Sequence, residues 1–232
     1  MGLFALVSGT AHTGVMSSAS DSFASPFGLP SPTATIKLGG SLLDLTDLAD
    51  RLEQLRPDWG ERPLLVVGGG PAADLVRDWD LRHQLGEIRS HWLALDALEL
   101  TSRLLVQLWP IAQVASVSEL DACWQAGRVP VVRSREWFEL AALNSQPSPP
   151  QNWQTTTDTI AAWIASVSHS ASLWLLKSVD PHASLSEAVQ QALVDPNFTS
   201  WLPPNVPLQW VNLRQKSISR SDYESNPSVA NK

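Results

Sequence analysis

Apolar residues recur in two rhythms along the chain. Short, largely apolar runs stand at 34–38, 63–67, 129–133, 172–176 and 208–211, each bounded by Gly, Pro or polar residues. Such runs read as strands buried on both faces. Between them the spacing turns helical. Leu45, Leu48, Leu52 and Leu55 stand three, four and three apart, and Pro57 ends that stripe. Leu75, Val76 and Trp79 mark a second helix, opened by Pro71 at its first position. Ile88, Trp92, Leu95, Leu98 and Leu105 give one face of a long helical segment from Glu87 to Trp109. Ser118 is expected to cap a short helix ending near Gly127, and a further helix is expected from about Leu185 to Val194. Ile160, Ala161, Trp163, Ile164 and Val167 follow Thr155-Thr156-Thr157-Asp158, a capped helix start. Strands alternating with helices predict an α/β fold, a three-layer αβα sandwich with a mainly parallel central sheet. Ligands then bind outside the carboxyl ends of the strands.

The pattern also divides the chain. Residues 1–33 are rich in Ser, Ala, Thr, Gly and Pro, keep no period, and are expected to be a disordered leader or a start placed too early. A folded body spans 34–214, with a proline-rich, polar loop at 144–152 separating a part at 34–150 from one at 151–214. Residues 215–232 form a polar tail.

Composition narrows the function. The net charge of −7 argues against a nucleic-acid surface, so any anionic ligand must be held locally. The single cysteine, Cys123, leaves no internal disulfide and no structural zinc cluster, and fits a reducing cytoplasm. No apolar stretch nears the roughly 18 residues of a membrane-spanning helix. Eleven tryptophans are scattered from Trp59 to Trp210 without a repeat and are expected mostly in the core or at an interface.

Lysine usage singles out one corner. The chain has four lysines against twelve arginines, and between residues 34 and 214 only Lys37 and Lys177 occur, each at the end of an apolar run. Lys37 leads into Gly39, Gly40 and Ser41; the next strand runs into Gly68, Gly69 and Gly70. Glycine turns let backbone N–H groups approach an anion, and lysine adds a compact positive charge. Phosphoryl transfer needs positioning and electrostatic stabilisation of this kind. Asp158 can orient a lysine or hold magnesium or a substrate ammonium. Asp180 can meet a metal or a ribose. Of the five histidines His91, near the start of the long helical segment, suits a site.

Other chemistries fit less well. Gly68-x-Gly70-x-x-Ala73 with Glu87 is a poor dinucleotide fingerprint, because a lysine-bearing unit precedes it and Glu87 opens a helix. No Gly-x4-Gly-Lys-Ser/Thr loop and no Gly-x-Ser-x-Gly elbow occurs.

In order and interval, Lys37 to Ser41, Gly68 to Gly70, Thr156-Thr157-Asp158 and Val179-Asp180 resemble the motifs of the amino acid kinase family. The similarity spans most of 34–213. Gly68 to Arg77, Ser90 to Ala94 and Trp153 are similar to the branch that phosphorylates an aminomethylfuran phosphate in methanofuran synthesis. The resemblance implies an ATP- and Mg2+-dependent small-molecule kinase acting on a carboxylate or phosphate acceptor, in one-carbon cofactor synthesis of the methanofuran or tetrahydromethanopterin type. It implies catalytic roles for Lys37 and Asp158. Gly39, Gly40, Ser41, Lys177, Ser178 and Asp180 would serve phosphate or nucleotide; Gly68, Gly69, Gly70, His91 and Thr157 the acceptor. No residue is assigned as a metal ligand. The 34–150 part becomes the substrate lobe and 151–214 a shortened nucleotide lobe, with Pro181 where relatives carry glycine. Self-association through the long helix is also implied. The alternative is a catalytically reduced subunit of this fold, binding an anion or nucleotide in a regulatory or storage role.

Overall fold

The computed structural model describes Gly28, residues 31–215 and residues 220–223; most of the leader and much of the tail lie outside the described residues. Seven strands form one sheet in the order β3-β4-β2-β1-β5-β6-β7, every pairing parallel except the last. The central strand β1 (Ala34–Leu38) lies between β2 (Pro63–Val67) and β5 (Leu173–Lys177), and every residue of the three is buried. Burial on both faces is why these runs read as continuously apolar rather than alternating. The sheet is completed by β3 (Ala112–Ala115), β4 (Val129–Val132), β6 (Leu208–Asn212) and the antiparallel β7 (Arg220–Tyr223).

One face of the sheet, with Ile36, Leu38, Leu65 and Val67, packs on Leu48, Leu52 and Leu55 of α1 (Leu48–Leu55) and on Trp59 and Trp109. The other face, with Leu64, Val66, Leu173 and Leu175, packs on α6 (Thr157–Val167). In α6 every residue from Thr157 to Ala165 is buried, so it is apolar around most of its circumference and runs through the core. Between these lie α2 (Gly70–His83), α3 (Glu87–Leu108), α4 (Leu120–Gln125) and α5 (Ser134–Leu143); α7 (Leu185–Gln190) and α8 (Phe198–Trp201) follow β5. Trp59, Trp137, Trp163 and Trp210 are fully buried, as expected of most of the tryptophans.

Several expectations need correction. The short helix before Gly127 is preceded by Ser116, not Ser118: Ser116 and Glu119 exchange bonds, with Ser116 N–H donating to the Glu119 carboxylate at 2.8 Å. Gly70 opens α2, and Pro71 is second. The helix expected to reach Val194 stops at Gln190. Strand β3 and helices α5 and α8 had no sequence-based counterpart, and four residues of the polar tail form β7 as an edge strand. The two central positions of β3, Gln113 and Val114, are exposed and half-buried, which hides it from a search for apolar runs.

Candidate functional site

Register brings the two lysines together. Lys37 of β1 lies beside Leu175 of β5, and side chains alternate along a strand, so Lys37, Leu175 and Lys177 share the face covered by α6. Asp158, in the first turn of α6, stands between the two lysines. Lys37 Nζ is 2.9 Å from Oδ1 of Asp158, and Lys177 Nζ donates to Oδ2 at 2.6 Å. Lys177 also donates to the Leu193 carbonyl at 2.6 Å and stands 5.5 Å from the Trp210 ring centroid. The exposures are 6% for Lys37, 4% for Asp158 and 8% for Lys177. Two ammonium groups sharing one carboxylate leave a buried positive charge, an arrangement that favours a further anion nearby.

The electrostatics reflect that imbalance. Burial alone would raise the Asp158 carboxyl, but the charges of Lys37 and then Lys177 outweigh it and hold it below the usual carboxylate range. Burial, and then the charge of Lys37, push Lys177 down to about 8 against the pull of Asp158. Both shifts are downward, but with opposite effects on charge: the carboxylate facing two cations keeps its charge more firmly, whereas the ammonium, buried and beside a second cation, holds its proton less firmly.

The glycine corners at the ends of β1 and β2 touch backbone to backbone. A Cβ on Gly40 would stand 2.1 Å from the Gly70 nitrogen, and one on Gly68 would stand 2.5 Å from the Gly40 nitrogen. Any side chain there would push the two turns apart. Gly39 N–H donates to Leu176 O at 2.9 Å and Gly68 N–H to Leu38 O at 2.8 Å. Those two amides therefore extend the sheet, whereas the sequence suggested that such groups point at an anion. Gly40, Ser41, Gly68, Gly69 and Gly70 line a cleft of about 240 Å³.

His91 and Thr157 line the same cleft, so the expected acceptor residues are brought together. Lys37, Asp158 and Lys177 are not among its lining residues, but Thr157 immediately precedes Asp158 and joins the two groups. Ser178 accepts a hydrogen bond from Ser41 Oγ at 3.1 Å, tying the end of β5 to the first glycine corner. Asp180 stands apart, accepting from Asn212 Nδ2 at 3.0 Å and from Gln215. A wider depression of about 490 Å³, between Glu99, Arg103 and Arg133, touches none of the expected residues.

Sequence reasoning gave one part of the site no role and missed another. Trp153, read only as part of a family likeness, closes one side of the cleft; its Nε1 donates to Asp80 at 2.7 Å, and the Arg77 guanidinium lies 4.9 Å from its ring centroid. Asp195 binds the start of α6, accepting from the N–H groups of Thr156 and Thr159, each at 3.1 Å, and from both their hydroxyls. That carboxylate neutralises the amide end of the helix and holds Asp158 in place. No local signal marks Asp195, which meets α6 only through the fold; Trp153 carries a signal only through the family likeness, by its place just before the Thr-Thr-Asp start.

A nucleotide phosphate fits the excess positive charge of Lys37, Asp158 and Lys177. Among the described residues no group of three or more His, Cys, Asp and Glu stands together to hold a metal ion. A magnesium ion fits only as one carried in by phosphate oxygens, its usual mode at such sites.

No curated protein matches the chain. Solved structures do: UMP kinase from Ureaplasma parvum superposes with a TM-score of 0.53 at 15% identity, over 81% of this chain and 92% of that one. UMP kinase from Bacillus anthracis superposes at 0.51, also 15% identical, over 82% and 90%. These likenesses concern the fold. The sequence model of the amino acid kinase family matches residues 33–181, which hold both glycine corners, both buried lysines and Asp158. With its motifs, its sheet and its buried lysine pair in agreement, the chain belongs to the amino acid kinase family.

Proposed function

We propose that the protein is an ATP-dependent small-molecule kinase, and the observation that carries this reading is the buried pair of lysines sharing Asp158 at the ends of adjacent parallel strands. Lys37 neutralises charge on the transferred phosphoryl group, and Asp158 fixes the position of both ammonium groups. Magnesium-bound ATP supplies the phosphoryl group. Ser41, Ser178 and Lys177 lie on the phosphate side, Asp180 further out toward the nucleotide, and the cleft between Gly68, His91 and Thr157 takes the acceptor. A cleft of about 240 Å³ suits a small molecule, with a carboxylate or a phosphate as the attacking group. The likeness of Gly68 to Arg77, Ser90 to Ala94 and Trp153 to the aminomethylfuran phosphate kinases supports an acceptor in one-carbon cofactor synthesis. A cytoplasmic setting suits such a metabolite, and among the described residues no helix is long and apolar enough to cross a membrane.

The test is ATP turnover with a panel of phosphorylated primary amines and carboxylates. Lys37→Ala should lower the rate on the order of 100-fold or more, the effect of removing one preorganised charge donor. Unchanged turnover would reject the role given to Lys37. A second reading, a catalytically reduced subunit that binds an anion or nucleotide, is favoured by one observation: Lys177 is already held by both Asp158 and Leu193. Nucleotide binding without turnover on any acceptor would select it.

A further inference from the structure

The cleft holds a buried polar atom with no partner. His91, in α3, is 4% exposed, and its Nε2 makes no hydrogen bond although the ring lines the cleft. A buried polar atom left unsatisfied is costly, so its survival in a ring that lines a cleft points to a partner supplied from outside. Three side chains nearby that carry donors already bond elsewhere. Trp153 Nε1 donates to Asp80, Trp92 Nε1 donates to Gln151 at 3.1 Å, and Arg77 pairs with Asp74 at 2.7 Å. The edges of Trp92 and Phe138 face the ring, with centroids at 6.1 and 5.0 Å, and fix its plane.

The tautomer follows from the other ring nitrogen. The ring bonds the backbone of Asn152 in the sense that favours its proton, which is the sense of an N–H donating to a carbonyl. Since Nε2 is the unpartnered atom, Nδ1 is the donor, and Nε2 of the neutral ring carries a lone pair and no proton. Nε2 is therefore an acceptor that lacks a donor.

We infer that His91 determines acceptor specificity: its Nε2 takes a hydrogen bond from an N–H or O–H on the acceptor, at a position away from the group that receives the phosphoryl. The substrate is then a small anion that also carries a hydroxyl, an amide or an ammonium, and a donor-free alkyl phosphate or carboxylate is a poor ligand. This rests on reading the cleft as the acceptor site, but not on turnover.

Two measurements on the full-length protein test it. The first is nitrogen NMR of protein labelled in histidine, assigned with the His91→Gln variant. The His91 proton should lie on Nδ1, and a proton on Nε2 overturns the inference. The second is calorimetric binding of alkyl phosphates and alkyl carboxylates of increasing length, each compared with its terminally hydroxylated counterpart. At the length that reaches Nε2, the hydroxylated member should bind about tenfold more tightly. His91→Leu should abolish that difference, and His91→Gln, which keeps a carbonyl acceptor, should retain part of it. Equal binding in every pair, or a preference that survives His91→Leu, overturns the inference. Should His91→Leu fail to fold, loss of the preference in His91→Phe decides in its favour and its retention decides against it. None of these readouts needs ATP. Loss of turnover in Lys37→Ala alongside equal binding of paired acceptors would retain the kinase and remove the role of His91; preferential binding without turnover would do the reverse.

Discussion

Asp158 bonds Lys177 at 2.6 Å inside the protein, yet the same carboxylate also faces Lys37, so neither lysine has a counter-ion to itself. The cluster is held by geometry that the rest of the fold imposes, and its members respond differently when one is removed.

Asp158→Asn should destabilise the fold strongly. The amide keeps the shape but leaves two buried ammonium groups with no negative partner, a change worth about 3–5 kcal/mol. Urea unfolding at neutral pH measures it. A loss under about 1 kcal/mol would mean that water reaches the lysines and that the cluster is not closed off.

The meeting of the glycine corners makes a second prediction. In Gly40→Ala the new methyl would lie against the Gly70 backbone, which cannot rotate away, so the turns must separate. A cost of about 1–3 kcal/mol or more follows, as for overpacking. Gly127→Ala meets nothing within 4 Å and bears only the strain of its positive φ, and should cost about 1 kcal/mol. Thermal unfolding of both variants ranks them, and equal losses would refute the role of close approach.

Acid should weaken the protein through His91. Burial pushes this imidazole down to about 4 from its ordinary 6.5, so between those values the unfolded chain binds a proton that the folded one refuses. Stability from this group is intact above pH 6.5 and lost as pH falls through 6.5 toward 4, by about 2 kcal/mol at pH 5. His91→Gln should flatten that part of the stability profile. An unaltered slope would place the acid sensitivity elsewhere.

Asp195→Ala should loosen the start of α6. Three backbone N–H groups, those of Thr156, Thr159 and Asn197, and two hydroxyls lose their shared acceptor, and hydrogen bonds to a charged group are worth roughly 1.5–3 kcal/mol each, though not additively. A total near 3 kcal/mol is expected, with faster amide exchange at Thr159. Turnover should fall as well, because Asp158 loses its anchor. Unchanged exchange at Thr159 would reject this account.

The amino-acid order by itself determined the elements whose signal is local. Apolar runs buried on both faces marked β1, β2, β4, β5 and β6, and two glycine turns with one lysine marked the corner where the ends of β1 and β2 meet, because strand burial and tight turns restrict the residues that can form them. The tertiary structure alone decided what depends on contacts between distant residues. Whether Gly39 and Gly68 amides face a ligand or the sheet depends on the neighbouring strand. That Lys177 pairs with Asp158 depends on the register of β5 against β1, and Asp195 reaches α6 from 36 residues away. Likewise the missing partner of His91 Nε2 is a property of everything packed around the ring, which no local pattern encodes.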